Sequence, residues 1–117
     1  MSEAGQTPYG DKMIADKDGA LGWMIFNNPE RHNALSLSMW QAIPRILDAF
    51  EADAEIRVIV LKGAGEKAFI SGADITEFDE KRASAEAVAE YDSIAHEASM
   101  RLTHAGKPTI AMIRGYC

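Results

Sequence analysis

The chain has 117 residues, is 47% hydrophobic and 26% charged, and carries a formal net charge of −6. It is too apolar for a disordered chain, and its length suits one domain that removes roughly two-thirds of its unfolded surface on folding. The acidic balance argues against a protein that lives on nucleic-acid phosphates, and the single cysteine, Cys117, allows neither an internal disulfide framework nor a cysteine zinc cluster.

Residues 1–11 read as a flexible N-terminal arm, and 12–117 as one globular unit. Met1 to Gly10 lack the basic start and apolar core of a secretory signal, and the acidic start lacks the arginine-rich pattern of a transit peptide. No apolar run approaches the roughly 18 residues of a membrane span. A cytoplasmic protein is the default expectation.

Met13–Asp16 and Leu21–Phe26 read as two strands of a hairpin, closed by the turn signal Asp18-Gly19. Asn27-Asn28-Pro29 breaks the second strand, since proline lacks the N–H and restricts its predecessor. A helix follows, capped by Ser36 or Ser38, with Leu37, Trp40, Ile43, Leu47 and Phe50 on one apolar face. Pro44 is expected to kink or split it. Arg57–Lys62 is a β-branched run suited to a parallel strand buried on both faces.

Gly63-Ala64-Gly65 ends that strand. No helix opens directly after it, so a plain turn is a better reading than a dinucleotide loop. Ala68–Gly72 is a short second apolar piece, and Asp74 to Phe78 is expected to start a short helix. Ser84 to Ala105 carries Val88, Tyr91, Ala95, Ala98 and Leu102 at steps of three and four, and Gly106 and Pro108 end that helix. Thr109–Ile113 reads as another buried strand. The order, β-β-α-β-(β)-α-β, is that of an α/β protein with helical crossovers between parallel strands. A chain that stops just after such a strand reads as part of a longer protein, the alternative being a complete domain with an edge strand.

Ser71 lacks the glycine two residues before it that a nucleophile elbow needs. His32, His96 and His104 show no metal-ligand spacing and read as surface or cap residues, and Glu77, Asp79 and Glu80 read as a solvated helix face. The segment Ala68-Phe69-Ile70-Ser71-Gly72-Ala73-Asp74-Ile75 is different, with a Ser-Gly-Ala link between a short strand and a possible helix start. Small residues let a ligand approach the backbone, and unpaired N–H groups at a helix start suit a developing oxyanion. An ordinary capped turn explains the same residues equally well.

Four motifs resemble a known family. Asn28-Pro29-Glu30-Arg31-His32-Asn33-Ala34-Leu35-Ser36, the strand Arg57–Gly63, Lys67-Ala68-Phe69-Ile70-Ser71-Gly72-Ala73-Asp74-Ile75, and Lys107-Pro108-Thr109-Ile110-Ala111-Met112-Ile113-Arg114-Gly115 resemble, in order, segments of the enoyl-CoA hydratase/isomerase (crotonase) superfamily. The resemblance implies an α/β crotonase-like spiral of β-β-α units, of which residues 12–117 would be the N-terminal, acyl-CoA-binding part. It implies an acyl-CoA thioester substrate, most naturally a 2-enoyl-CoA that takes up water, and homotrimers or homohexamers. No separate cofactor or metal is implied, because coenzyme A belongs to the substrate.

By the same resemblance the Ala73 N–H is the first of two oxyanion donors, and Arg31, Ala34, Ser71, Ala73, Asp74 and Ile75 bind substrate. Arg31 fits a phosphate or ribose contact, or else a solvated surface position. The second donor and the acid/base glutamates of the family would follow Cys117. This chain alone is therefore expected to be inactive. Isomerisation by the same enolate chemistry, or a non-catalytic module that binds CoA or pairs with a crotonase-like subunit, are the alternatives.

Overall fold

The computed structural model describes residues 5–74 and 84–117. Five strands form one sheet in the order β1-β2-β3-β4-β5: β1 (Gln6–Pro8), β2 (Met13–Asp18), β3 (Leu21–Phe26), β4 (Val58–Gly63) and β5 (Thr109–Met112). The first three pair antiparallel, while β3–β4 and β4–β5 pair parallel. Each parallel step needs a crossover. The first carries helix α1 (Leu37–Ala52), and helix α2 (Ala85–Thr103) lies within the second.

The hairpin forms as its sequence predicts. Gly19 sits at a positive φ of 61°, a conformation the tight turn demands and glycine takes at no steric cost. The N-terminal stretch departs from the expected arm: Gln6–Pro8 pair with Asp16, Ala15 and Ile14 of β2. The cause lies in the turn rather than in the strand's own composition. Tyr9 donates its N–H to Met13 O at 2.8 Å, Gly10 has a φ of 76°, and the Arg45 guanidinium lies 5.2 Å over the Tyr9 ring. Pro8 is tolerated because β1 is an edge.

Helix α1 starts at Ser36, in extended conformation, and runs unbroken through Pro44 to Ala52. Pro44 therefore does not split the helix; the missing N–H costs α1 the donor that Trp40 C=O would otherwise have. Met39, Ala42, Ile43, Ile46, Leu47 and Phe50 turn inward onto Met13, Met24, Phe26 and Ile59 of the sheet. Phe50 packs so closely on β3 that a Cβ at Gly22 would lie 2.9 Å from its ring.

Helix α2 is capped by Ser84, whose Oγ accepts from Ala87 N–H at 3.0 Å. It lies on α1, with Tyr91 and Ala98 buried, Trp40 Nε1 donating to Tyr91 Oη at 3.1 Å, and Arg101 meeting Asp48 at 2.6 Å. Strand β5 corrects the reading of Thr109–Ile113 as buried. All four of its residues are exposed, with Ile110 at 54% and Ile113 just beyond it at 55%. Its pattern is that of a buried strand, but among the described residues it has β4 on one side and no strand on the other. The expected short helix from Asp74 to Phe78 lies, apart from Asp74 itself, outside the described residues.

Candidate functional site

Two peptide segments are laid side by side beyond the end of β3. One is the turn after the 3-10 helix Pro29–Arg31; the other is Ser71–Asp74. Leu35 joins them in a parallel bridge to Ala73, donating its N–H to Gly72 O at 2.7 Å and accepting from Asp74 N–H at 2.8 Å. Ser71 adds two contacts, its N–H to His32 O and its Oγ to Arg31 O, each 3.2 Å.

This pairing decides where Ala73 points. In a parallel bridge one residue uses both of its polar groups on the neighbours of the other, whose own N–H and C=O face the opposite side. Leu35 is the first kind of residue and Ala73 the second. Ala73 is exposed, and among the described residues no group accepts its N–H. Gly72 precedes it at a φ of 135°, which a side chain would strain.

The structure thus brings together Arg31, Ala34, Ser71, Ala73 and Asp74 from the predicted set. Arg31 is exposed, with no ion pair among the described residues. Ala34 and Asp74 are buried, at 7% and 4% exposure. Ile75 lies outside the described residues, as do Glu77, Asp79 and Glu80.

Two clefts flank His32. One, of about 380 Å³, is lined by His32, Ser71, Tyr116 and Cys117. The other, of about 350 Å³, lies between the Pro29–Asn33 turn and the Ala64–Ala68 loop. His32, His96 and His104 are all exposed, and among the described residues no three His, Cys, Asp or Glu side chains are grouped to hold a metal. Tyr116 reaches the site through a bridge to Ala68, accepting from Phe69 N–H at 2.7 Å and donating its N–H to Lys67 O at 2.9 Å. Its ring stands edge-on to His32, centroids 5.5 Å apart.

Asn28 and Asn33, which the sequence reading does not single out, hold the turn beside these segments. They are buried at 2% and 1% exposure, deep for polar side chains. Asn33 Oδ1 accepts from Asn28 N–H at 2.9 Å, while its Nδ2 donates to Ala64 O at 3.1 Å and Ala68 O at 2.9 Å. Asn28 Nδ2 donates to Ala34 O at 2.9 Å. A polar run around a proline reads as an exposed turn, and nothing local marks these two asparagines as buried.

A family model described as enoyl-CoA hydratase/isomerase matches residues 21–117. The chain is 29% identical over 106 residues to a short-chain-enoyl-CoA hydratase of Clostridium acetobutylicum, covering 91% of this chain and 40% of that protein. It is 39% identical over 106 residues to a hydroxycinnamoyl-CoA hydratase-lyase of Pseudomonas fluorescens, covering 86% and 37%. Among solved structures, an enoyl-CoA hydratase/carnithine racemase of Magnetospirillum magneticum superposes with a TM-score of 0.87 at 39% identity, over 95% of this chain and 41% of that one. The chain spans about two-fifths of the length of these proteins, and its α/β fold is the crotonase fold over that part. On the family match, the shared fold and the ordered motifs together, this chain belongs to the enoyl-CoA hydratase/isomerase family.

Proposed function

We propose that this chain is the thioester-binding part of an acyl-CoA enzyme, and that the reaction it serves is the addition of water to a 2-enoyl-CoA. The observation that carries the reading is the Ala73 N–H, turned away from its bridge to Leu35 and left without an acceptor among the described residues. When water adds at C3 of the enoyl thioester, electron density moves to the carbonyl oxygen and an enolate forms. A fixed N–H aimed at that oxygen binds it more strongly as charge develops, so it lowers the barrier rather than only the substrate's energy.

In this reading Arg31, exposed at the end of the 3-10 helix, meets a CoA phosphate, and Ala34, Ser71 and Asp74 shape the adjoining backbone. Proton transfer to and from carbon needs an acid and a base worth about 10²–10⁴ in rate. No family acid/base glutamate falls within the matched motifs, so the 117-residue chain alone binds without turnover. Assembly as trimers or hexamers and a cytoplasmic setting belong to this reading; among the described residues no helix is long and apolar enough to cross a membrane.

The test is calorimetric. Butyryl-CoA and free CoA are titrated against the chain, and crotonyl-CoA hydration is followed separately. Tighter binding of butyryl-CoA than of CoA, without hydration, is expected. Equal affinities would remove the thioester carbonyl from the site, and family-like turnover would overturn the claim of inactivity. One observation favours a second reading, a CoA-binding module that pairs with another subunit: Ile110, Met112 and Ile113 are exposed along and beyond β5. Stoichiometric association in solution, with CoA binding but no preference for the thioester, would select it.

A further inference from the structure

We propose that Asn33 is a positioning residue for the Ala73 N–H, a role that rests on the oxyanion reading of Ala73. The argument begins at the sheet. Ala64 N–H donates to Phe26 O at 2.8 Å, so the loop after β4 is pinned to the end of β3. The Asn33 carboxamide then grips that loop at two carbonyls, Ala64 O and Ala68 O, and holds Asn28 N–H with its oxygen. Two residues on, Leu35 holds Gly72 and Asp74, and with them the direction of the Ala73 N–H. The chain of contacts runs from β3 through Ala64, Asn33 and Leu35 to Ala73.

Without Asn33, the two paired segments would still hold each other. They would lose their hydrogen-bonded tie to the loop after β4, while Leu35 stays packed in the core and Phe69 on Phe26. A donor that must meet an oxygen within a few tenths of an ångström needs such a tie.

Two further features fit this role. Asn33 has a φ of 58°, in the left-handed region that asparagine tolerates better than most residues. Gly63 leaves room for the carboxamide: a Cβ there would lie 2.5 Å from Asn33 Nδ2 and 2.3 Å from Ala68 O. The absence of a side chain at Gly63 and the presence of one at Asn33 are halves of the same contact.

Asn33→Gly keeps the left-handed backbone accessible and removes the clamp. Hydrogen exchange followed by ¹H–¹⁵N NMR on the 117-residue chain reads the result. Protection of the Leu35 and Asp74 amides should fall about tenfold or more relative to β3 and β4 amides, the scale of one to two buried hydrogen bonds lost. A merely structural role would lower protection across the sheet by the same factor, and that uniform loss, or no loss, overturns the proposal.

If Asn33→Gly does not fold, the unmodified chain decides. The Asn33 carboxamide protons and the Leu35 and Asp74 amides should share one opening event with one denaturant dependence, and independent openings overturn the clamp. Butyryl-CoA and CoA titrations run alongside. Equal affinities in the unmodified chain count against the oxyanion reading, while the exchange data still judge the clamp.

Discussion

The proposed donor is a main-chain group, so the sharpest perturbation replaces an atom rather than a side chain. Exchanging Ala73 for lactic acid turns the Gly72–Ala73 amide into an ester, removing the N–H and keeping the methyl group and chain direction. Folding should barely notice, because no described residue accepts that N–H. The one local cost is that Gly72 O, which accepts from Leu35 N–H at 2.7 Å, becomes a weaker acceptor. That is a fraction of an ordinary hydrogen bond, under about 1 kcal/mol. Binding should lose one hydrogen bond to a neutral carbonyl, about 0.5–1.5 kcal/mol, or roughly two- to twelvefold in affinity. Free CoA has no carbonyl at that position and should be unaffected. The assay is the ratio of butyryl-CoA to CoA affinity by calorimetry in the amide and ester chains, with urea midpoints as the folding control. A parent preference that survives in the ester, with folding intact, would refute the assignment of Ala73.

Four other outcomes follow from the structure. Lys107→Met keeps the stem but removes the ammonium that donates to Phe50 O at 2.7 Å in the last turn of α1 and to Asp53 O at 2.6 Å just after it; a loss of about 2–4 kcal/mol is expected in urea unfolding, against less than about 0.5 kcal/mol for the exposed Lys67→Met. Asp53 is held below the usual carboxylate range, first by Lys17 and then by the Glu55 N–H, while Lys17 is raised by Glu55 and Asp53. The pair therefore stabilises the fold above the ordinary carboxylate range and below the ordinary lysine range, and the Asp53 share is lost as pH falls through its lowered value. Asp53→Asn should flatten the acid limb of a Tm-versus-pH profile in low salt and change little in high salt, because both groups are exposed to solvent screening. Gly115→Ala places a Cβ 2.1 Å from Lys67 O at a φ of 76°, so Tyr116 should come off Ala68, with faster Phe69 amide exchange; unchanged exchange would contradict it. Tyr91→Phe leaves Trp40 Nε1 without its 3.1 Å acceptor and should lower stability by about 0.5–1.5 kcal/mol in thermal unfolding.

The order of elements was legible because its signals are local. The Asp18-Gly19 turn, the apolar face of α1, the β-branched run of β4 and the stripe of α2 each stand within a few residues of one another. What was not legible depends on partners distant in sequence. Gln6–Pro8 has no apolar alternation, and becomes a strand because the turn at Tyr9–Gly10 delivers it to β2. Thr109–Met112 has the pattern of a buried strand, but burial depends on what covers it, and a pattern cannot supply the cover. That Ser71–Ala73 leaves its backbone open to close approach was legible, because smallness is written in sequence, and an ordinary capped turn shares that signal. Asn33 was not, since its value comes from Ala64 and Ala68, more than thirty residues away.

A main-chain donor also changes which residues can alter the site. No substitution at Ala73, proline apart, removes the N–H, and its placement is set by the residues that hold the backbone on either side of it. Gly63 must have no side chain because Asn33, Ala68 O and Phe69 O occupy the space. Gly72 must be glycine for its φ, and Leu35 holds the neighbours of Ala73 through its backbone while its side chain packs in the core. A short-chain-enoyl-CoA hydratase and a hydroxycinnamoyl-CoA hydratase-lyase both align with most of this chain. Under the proposed reading this follows from the chemistry. Stabilising charge on a thioester oxygen is the same task whichever bond is made or broken afterward, whereas the proton transfers that distinguish one reaction from another need side chains. The stretch is therefore constrained by geometry, and substitutions at Gly63, Asn33 or Gly72 should impair every reaction built on it rather than convert one into another.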